Sequence, residues 1–222
     1  RYKKSSLQLG SLPPLKRILL TPSLMNETIR VFLAIDLPAP LQSALADLIG
    51  QLRHRNLHGI RLIKPGNLHI TMKFMGNVSV NKIPDIAKAV SEIIGLTTPF
   101  DLEIGPIVIF PNERFPRVIS VGFTGNLNPV TQMHQFVETT MASLGIVKER
   151  RPFTPHLTIA RMSNDASLDV RTSAISLVDK YWAGSGLDFQ VNSVSLIKSN
   201  LSSIGASYET IANFELKNPN RL

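Results

Sequence analysis

Two short segments of this 222-residue chain set an imidazole two positions before a hydroxyl: His69-Ile70-Thr71 and His156-Leu157-Thr158. Side chains on a β-strand alternate between faces. Each segment, if extended, therefore projects its His and Thr from one face. Leu68, Ile70, Met72 and Phe74 would point the other way into a core, as would Leu157 and Ile159. Two such pairs facing each other suit phosphodiester chemistry without a metal. One neutral imidazole takes a proton from the attacking water, and the other, protonated, gives one to the departing ribose oxygen. Threonine hydroxyls donate to the non-bridging oxygens, and a nearby Arg offsets the charge that develops there. The remaining histidines, His54, His58 and His134, are followed at the same distance by Asn56, Ile60 and Phe136, so they lack the pairing.

The elements that must position these residues recur along the chain. Arg30–Ile35 aligns with Arg117–Gly122 at an offset of 87, Lys64-Pro65 falls on Arg151-Pro152, and His69–Met72 falls on His156–Ile159 without a gap. At an offset of 89, Phe100-Asp101-Leu102 matches Phe189-Gln190-Val191. Order and spacing together indicate two copies of one supersecondary unit, about 28–111 and 115–200. Each opens with an apolar strand (Ile29–Asp36; Val118–Phe123) and continues into a Pro-initiated helix. The helical faces are Leu41, Leu45, Leu48, Ile49 and Leu52 in the first copy. In the second they are Val130, Met133, Phe136, Val137, Met141 and Leu144. Next come a basic-Pro loop and the His-x-Thr strand, then a second helix (about 82–94; about 168–182) and a further strand (100–110; 188–198). A strand near Tyr208–Leu216 closes the chain. The fold expected is α+β and bilobal: two pseudo-symmetric lobes, each an antiparallel sheet with outer helices, and an active-site cleft between the sheets. Pro111–Pro116 is expected to connect the lobes.

Composition excludes several classes. With no cysteine, disulfides, thiolate catalysis and zinc–sulfur sites are ruled out. No apolar run has the length of a membrane span, and a cytoplasmic, monomeric protein is expected. The net charge of +8 is unevenly placed: Arg1, Lys3, Lys4, Lys16 and Arg17 carry +5 in residues 1–26, where no acid occurs, leaving +3 for residues 27–222. The first 26 residues read as an N-terminal extension, disordered, vector-derived or transit-like, ahead of a single bilobal domain at 27–222. His54 and His58 have metal-ligand spacing, but they lack the Glu of a zincin motif. A basic helix end before Gly59 explains them more simply. No phosphate-cradling G-x-x-x-x-G-K loop, G-x-G-x-x-G or G-x-S-x-G is present, so ATP-dependent ligation finds no site. No cofactor and no metal is expected.

The segments HITM and HLTI resemble the two His-x-Thr-x motifs of the 2H phosphoesterase superfamily. Within it, the chain is similar to the RNA 2′,3′-cyclic phosphodiesterase (2′-5′ RNA ligase) family over about residues 29–216. The similarity runs through RVFLAIDLP, NLHITMKFMG, RPFTPHLTIAR and the closing Ser199-x-Leu201 and Gly205-Ala206-x-Tyr208. The resemblance implies a bilobal enzyme that opens a terminal 2′,3′-cyclic phosphate of RNA to a 2′-phosphate. In that scheme His69 is proton donor, His156 proton acceptor, and Thr71 and Thr158 hold phosphate. It also implies a phosphate-binding Arg161, which strict alternation would turn toward the core unless a bulge or strand end intervenes. Lys73, on the His69 face, and Phe153, ahead of His156, are further candidates for RNA or base contact. Two other readings compete: a non-catalytic nucleotide- or RNA-binding module, and a 2H enzyme for 2′-5′-linked oligonucleotides with reversible ligase activity.

Overall fold

Apolar periodicity builds the helices where the sequence predicts them. In the computed structural model, which describes residues 27–55, 57–182, 187–203 and 205–217, α1 spans Ala39–Arg53 and buries Leu41, Leu45, Leu48, Ile49 and Leu52. Each of these contributes on the order of 2 kcal/mol through removal from water. Helix α2 is Ile83–Gly95, α3 is Asn128–Ser143 and α4 is Leu168–Tyr181. The Ser167 hydroxyl caps α4 by accepting from the Val170 N–H. Phe136, expected on the buried face of α3, is 60% exposed, while Val130, Met133, Val137 and Met141 of that helix are buried. The N-terminal extension lies outside the described residues. No helix among those described is long and apolar enough to cross a membrane.

The strands are β1 (Thr28–Ile35), β2 (Ile60–Leu62), β3 (Ile70–Ser79), β4 (Phe100–Phe110), β5 (Val118–Thr124), β6 (Leu157–Met162), β7 (Phe189–Val191), β8 (Ser193–Ser202) and β9 (Gly205–Glu215). Their order is β7-β4-β5-β6-β3-β1-β8-β9, with β2 also on β6, and every pairing is antiparallel. One lobe is the β3-β1-β8-β9 sheet, and the other is built on β4, β5 and β6. A single residue pair, Ile70 with Leu157, joins them. That junction lies between the two His-x-Thr segments.

The lobes are not the two sequence copies. β4 closes the first copy yet pairs with β5 of the second, and β8 closes the second yet pairs with β1 of the first. The copies thus exchange their last strands. It follows that Pro111–Pro116 turns a hairpin within one lobe, between β4 and β5, and does not link the lobes. The expected strand 188–198 is likewise two strands, β7 on β4 and β8 on β1, separated at Asn192. β2 falls where the sequence predicts only a loop. It is seated on β6 by Gly59, whose positive φ of 76° suits glycine and where a Cβ would meet the Ala166 Cβ at 2.8 Å.

Candidate active site

Both histidines stand one residue before a strand begins, and both are held the same way. His69 Nδ1–H donates to the Asn67 carbonyl at 2.8 Å, and His156 Nδ1–H donates to the Thr154 carbonyl at 2.7 Å. A carbonyl only accepts, so each neutral ring carries its proton on Nδ1 and leaves Nε2 free for chemistry. Aromatic rings flank them: Phe32 lies 4.7 Å and Tyr208 5.3 Å from His69, and Phe110 lies 4.7 Å from His156. Burial lowers the His69 pKa to about 4, with Arg161 and His156 acting in the same direction against the Asn67 hydrogen bond. Burial also lowers His156, aided by Arg161. Each His is thus neutral near pH 7, and a proton on His156 disfavours one on His69.

The cleft between the lobes is lined by His69, Thr71, Phe74, Thr158, Arg161 and Tyr208, together with Arg61, Lys64, Asn67 and the backbone near Gly205. His156 flanks this hollow two residues before Thr158. The two Thr hydroxyls and the Arg161 guanidinium thereby converge on one space. Arg161 reaches the cleft because β6 bulges: Ser120 pairs with Thr158 but Ile119 with Ala160, and the extra residue restores Arg161 to the His156 face.

A second bulge overturns another expectation. In β3, Ala34 pairs with Thr71 and Leu33 with Lys73, leaving Met72 unpaired. Alternation is reversed from there to a further bulge at Met75. Lys73, expected beside His69, instead turns inward and is 4% exposed, with Nζ 2.7 Å from Glu138 Oε1 and donating to the Val147 carbonyl at 2.8 Å. Phe74, expected in the core, takes its place on the cleft wall at 52% exposure. Phe153 does not face the cleft either. It stacks on the His134 ring at 4.0 Å, almost parallel to it, and packs against the core. The site residues missed by sequence reasoning are Arg61, Lys64, Asn67 and Phe74. The alternation Ile60-Arg61-Leu62 was the available signal for β2 and its cation Arg61, and Lys64 follows on the turn beyond it.

Comparison with known proteins gives the chain its family and its fold. The model of the 2′-5′ RNA ligase superfamily matches residues 39–202. The RNA 2′,3′-cyclic phosphodiesterase of Methanocaldococcus jannaschii is 31% identical over 182 residues, covering 82% of this chain and 98% of that protein. Among solved structures, TT0787 of Thermus thermophilus superposes with a TM-score of 0.71 at 23% identity, covering 86% of this chain and 100% of that one. Escherichia coli LigT complexed with 3′-AMP gives a TM-score of 0.66, also at 23% identity and with 86% and 100% coverage. Both structures share the fold.

Proposed function

This chain belongs to the 2′-5′ RNA ligase superfamily, and on that premise we propose that it hydrolyses 2′,3′-cyclic phosphate ends of RNA to 2′-phosphates by two-histidine acid–base catalysis. The observation that carries the reading is the matched pair of His-x-Thr segments across one cation-lined cleft, each imidazole pinned through Nδ1 with Nε2 free. In the forward step His156 Nε2 takes a proton from water as its oxygen bonds to phosphorus. The bond from phosphorus to the ribose 3′ oxygen breaks, and His69 returns a proton to that oxygen. Thr71, Thr158 and Arg161 hold the non-bridging oxygens while their charge grows. Ligation of 2′-5′ ends would be the reverse transesterification at the same two rings.

The acid role of His69 requires its pKa to rise when substrate binds. A phosphate anion against the ring supplies that rise, because it offsets Arg161 and favours the imidazolium. The expected pH profile follows. Below both histidine values the base is protonated, and above both the acid has lost its proton, so kcat/KM should be bell-shaped with its maximum below the ordinary imidazole value of 6.5. The maximum in kcat, which reports the complex, should lie at higher pH. A kcat/KM that stays level to about pH 9 would show that no protonated acid is needed.

The function itself is tested by incubation with RNA ending in a 2′,3′-cyclic phosphate, with 2′-5′-linked oligonucleotides and with small cyclic nucleotides, the product isomers being resolved by phosphorus NMR. The expected product is 2′-phosphate alone. Exclusive 3′-phosphate would keep the histidine chemistry but reverse the leaving group, and binding without turnover of any substrate would leave a binding module.

A further inference from the structure

The catalytic scheme leaves two cations of the cleft unused. Arg61 of β2 is the direct cross-strand partner of Arg161 on β6, and Lys64 follows on the turn that leads to His69. Directly opposed residues of antiparallel strands lie on one face about 5 Å apart, where like charges repel. The Arg161 guanidinium pKa is lowered by burial and then by the Arg61 charge. Among the described residues the side chains of Arg61, Lys64 and Arg161 make no hydrogen bond or ion pair. Among the described residues no Asp or Glu lines the cleft. Three unpaired cations along one wall exceed what a single cyclic phosphate monoanion requires. Arg61 stands one strand outward from Arg161, so a second anion there is spatially distinct from the first. In an RNA end, the nearest second anion is the phosphodiester that precedes the terminal nucleotide.

We propose that Arg61 and Lys64 form a second phosphate subsite that holds the phosphodiester preceding the cyclic end, so the chain selects oligonucleotides over single nucleoside cyclic phosphates. This rests on the reading given above. Arg161 lies between the two subsites and keeps the terminal phosphate against the threonines. Arginine at position 61 offers a planar fork of donors to a phosphate, and Lys64 a mobile point charge.

The test compares adenosine 2′,3′-cyclic phosphate with adenylyl-adenosine 2′,3′-cyclic phosphate. KM for the dinucleotide is expected to be at least about tenfold lower, the scale of one well-placed charge-assisted contact. Its dependence on log salt should be steeper by about one. In the Arg61→Gln, Lys64→Gln double variant the KM ratio should fall to within about twofold, whereas Arg61→Lys should retain part of it. Calorimetric binding of the corresponding 2′-phosphate products, one and two nucleotides long, reads the subsite independently of turnover. Turnover of both substrates with equal KM would overturn the subsite and leave the activity standing. Tighter binding of the longer product, lost in the double variant, with no turnover of either substrate would do the reverse. Equal weakening of both ligands by the double variant would also overturn the subsite, since the cations would then contribute only a general field.

Discussion

Replacement of His69 or His156 by alanine is expected to lower turnover of a cyclic-phosphate substrate by at least about a hundredfold, the usual scale for a positioned general acid or base. The two losses should not multiply in the double variant, because hydrolysis needs both proton transfers in one event. Folding should survive each substitution. His69 lines the cleft and His156 flanks it, and each donates one hydrogen bond to a loop carbonyl that water can satisfy. The His69 variant loses more packing, since Phe32 and Tyr208 both rest on that ring. A modest fall in melting temperature is therefore expected there. Kinetics at saturating substrate, with circular dichroism as the check on folding, decide the matter. A folded variant with near wild-type kcat would remove that histidine from the mechanism.

Lys73→Ala is expected to act through stability. The ammonium lies between Glu138 and the Val147 carbonyl, and Glu138 is itself buried and also accepts from the Glu149 N–H. Removing the lysine leaves a carboxylate buried with its cation gone, and breaking such a pair typically costs about 3–5 kcal/mol. For a chain of this length the melting temperature should fall on the order of 10 °C. His134, 3.6 Å from the same carboxylate, offers partial compensation when protonated, so the loss should be smaller in mild acid. Replacing both partners by apolar residues, Lys73→Met with Glu138→Leu, should recover much of the stability because no uncompensated charge remains. Thermal melts of wild type and both variants test this, with KM of the folded protein measured alongside. A Lys73→Ala protein of unchanged stability and raised KM would return the lysine to the phosphate site.

The fate of Lys73 separates what the chain states locally from what it does not. The His-x-Thr spacing, the duplicated order of elements and the apolar faces of α1 and α3 are legible because alternation and helical periodicity are properties of a few consecutive residues. From these alone follow the α+β class, the antiparallel strands and the four candidate residues His69, Thr71, His156 and Thr158. Three things were decided only in the folded molecule. The bulges at Met72 and near Ala160 reverse the alternation, sending Lys73 inward, Phe74 outward and Arg161 into the cleft. A bulge arises from the fit between two paired strands, so neither strand announces it by itself. The exchange of β4 and β8 between the copies is likewise a choice of partner, made by non-local pairing and not by the periodicity of either strand. The pKa of His69 also belongs to this class. It depends on the rings packed around the imidazole and on Arg161, 92 positions away in sequence, which the pairing of β3 with β6 brings to the same cleft. Local sequence thus supplies the candidate reacting groups, and tertiary contacts set their faces, neighbours and charge.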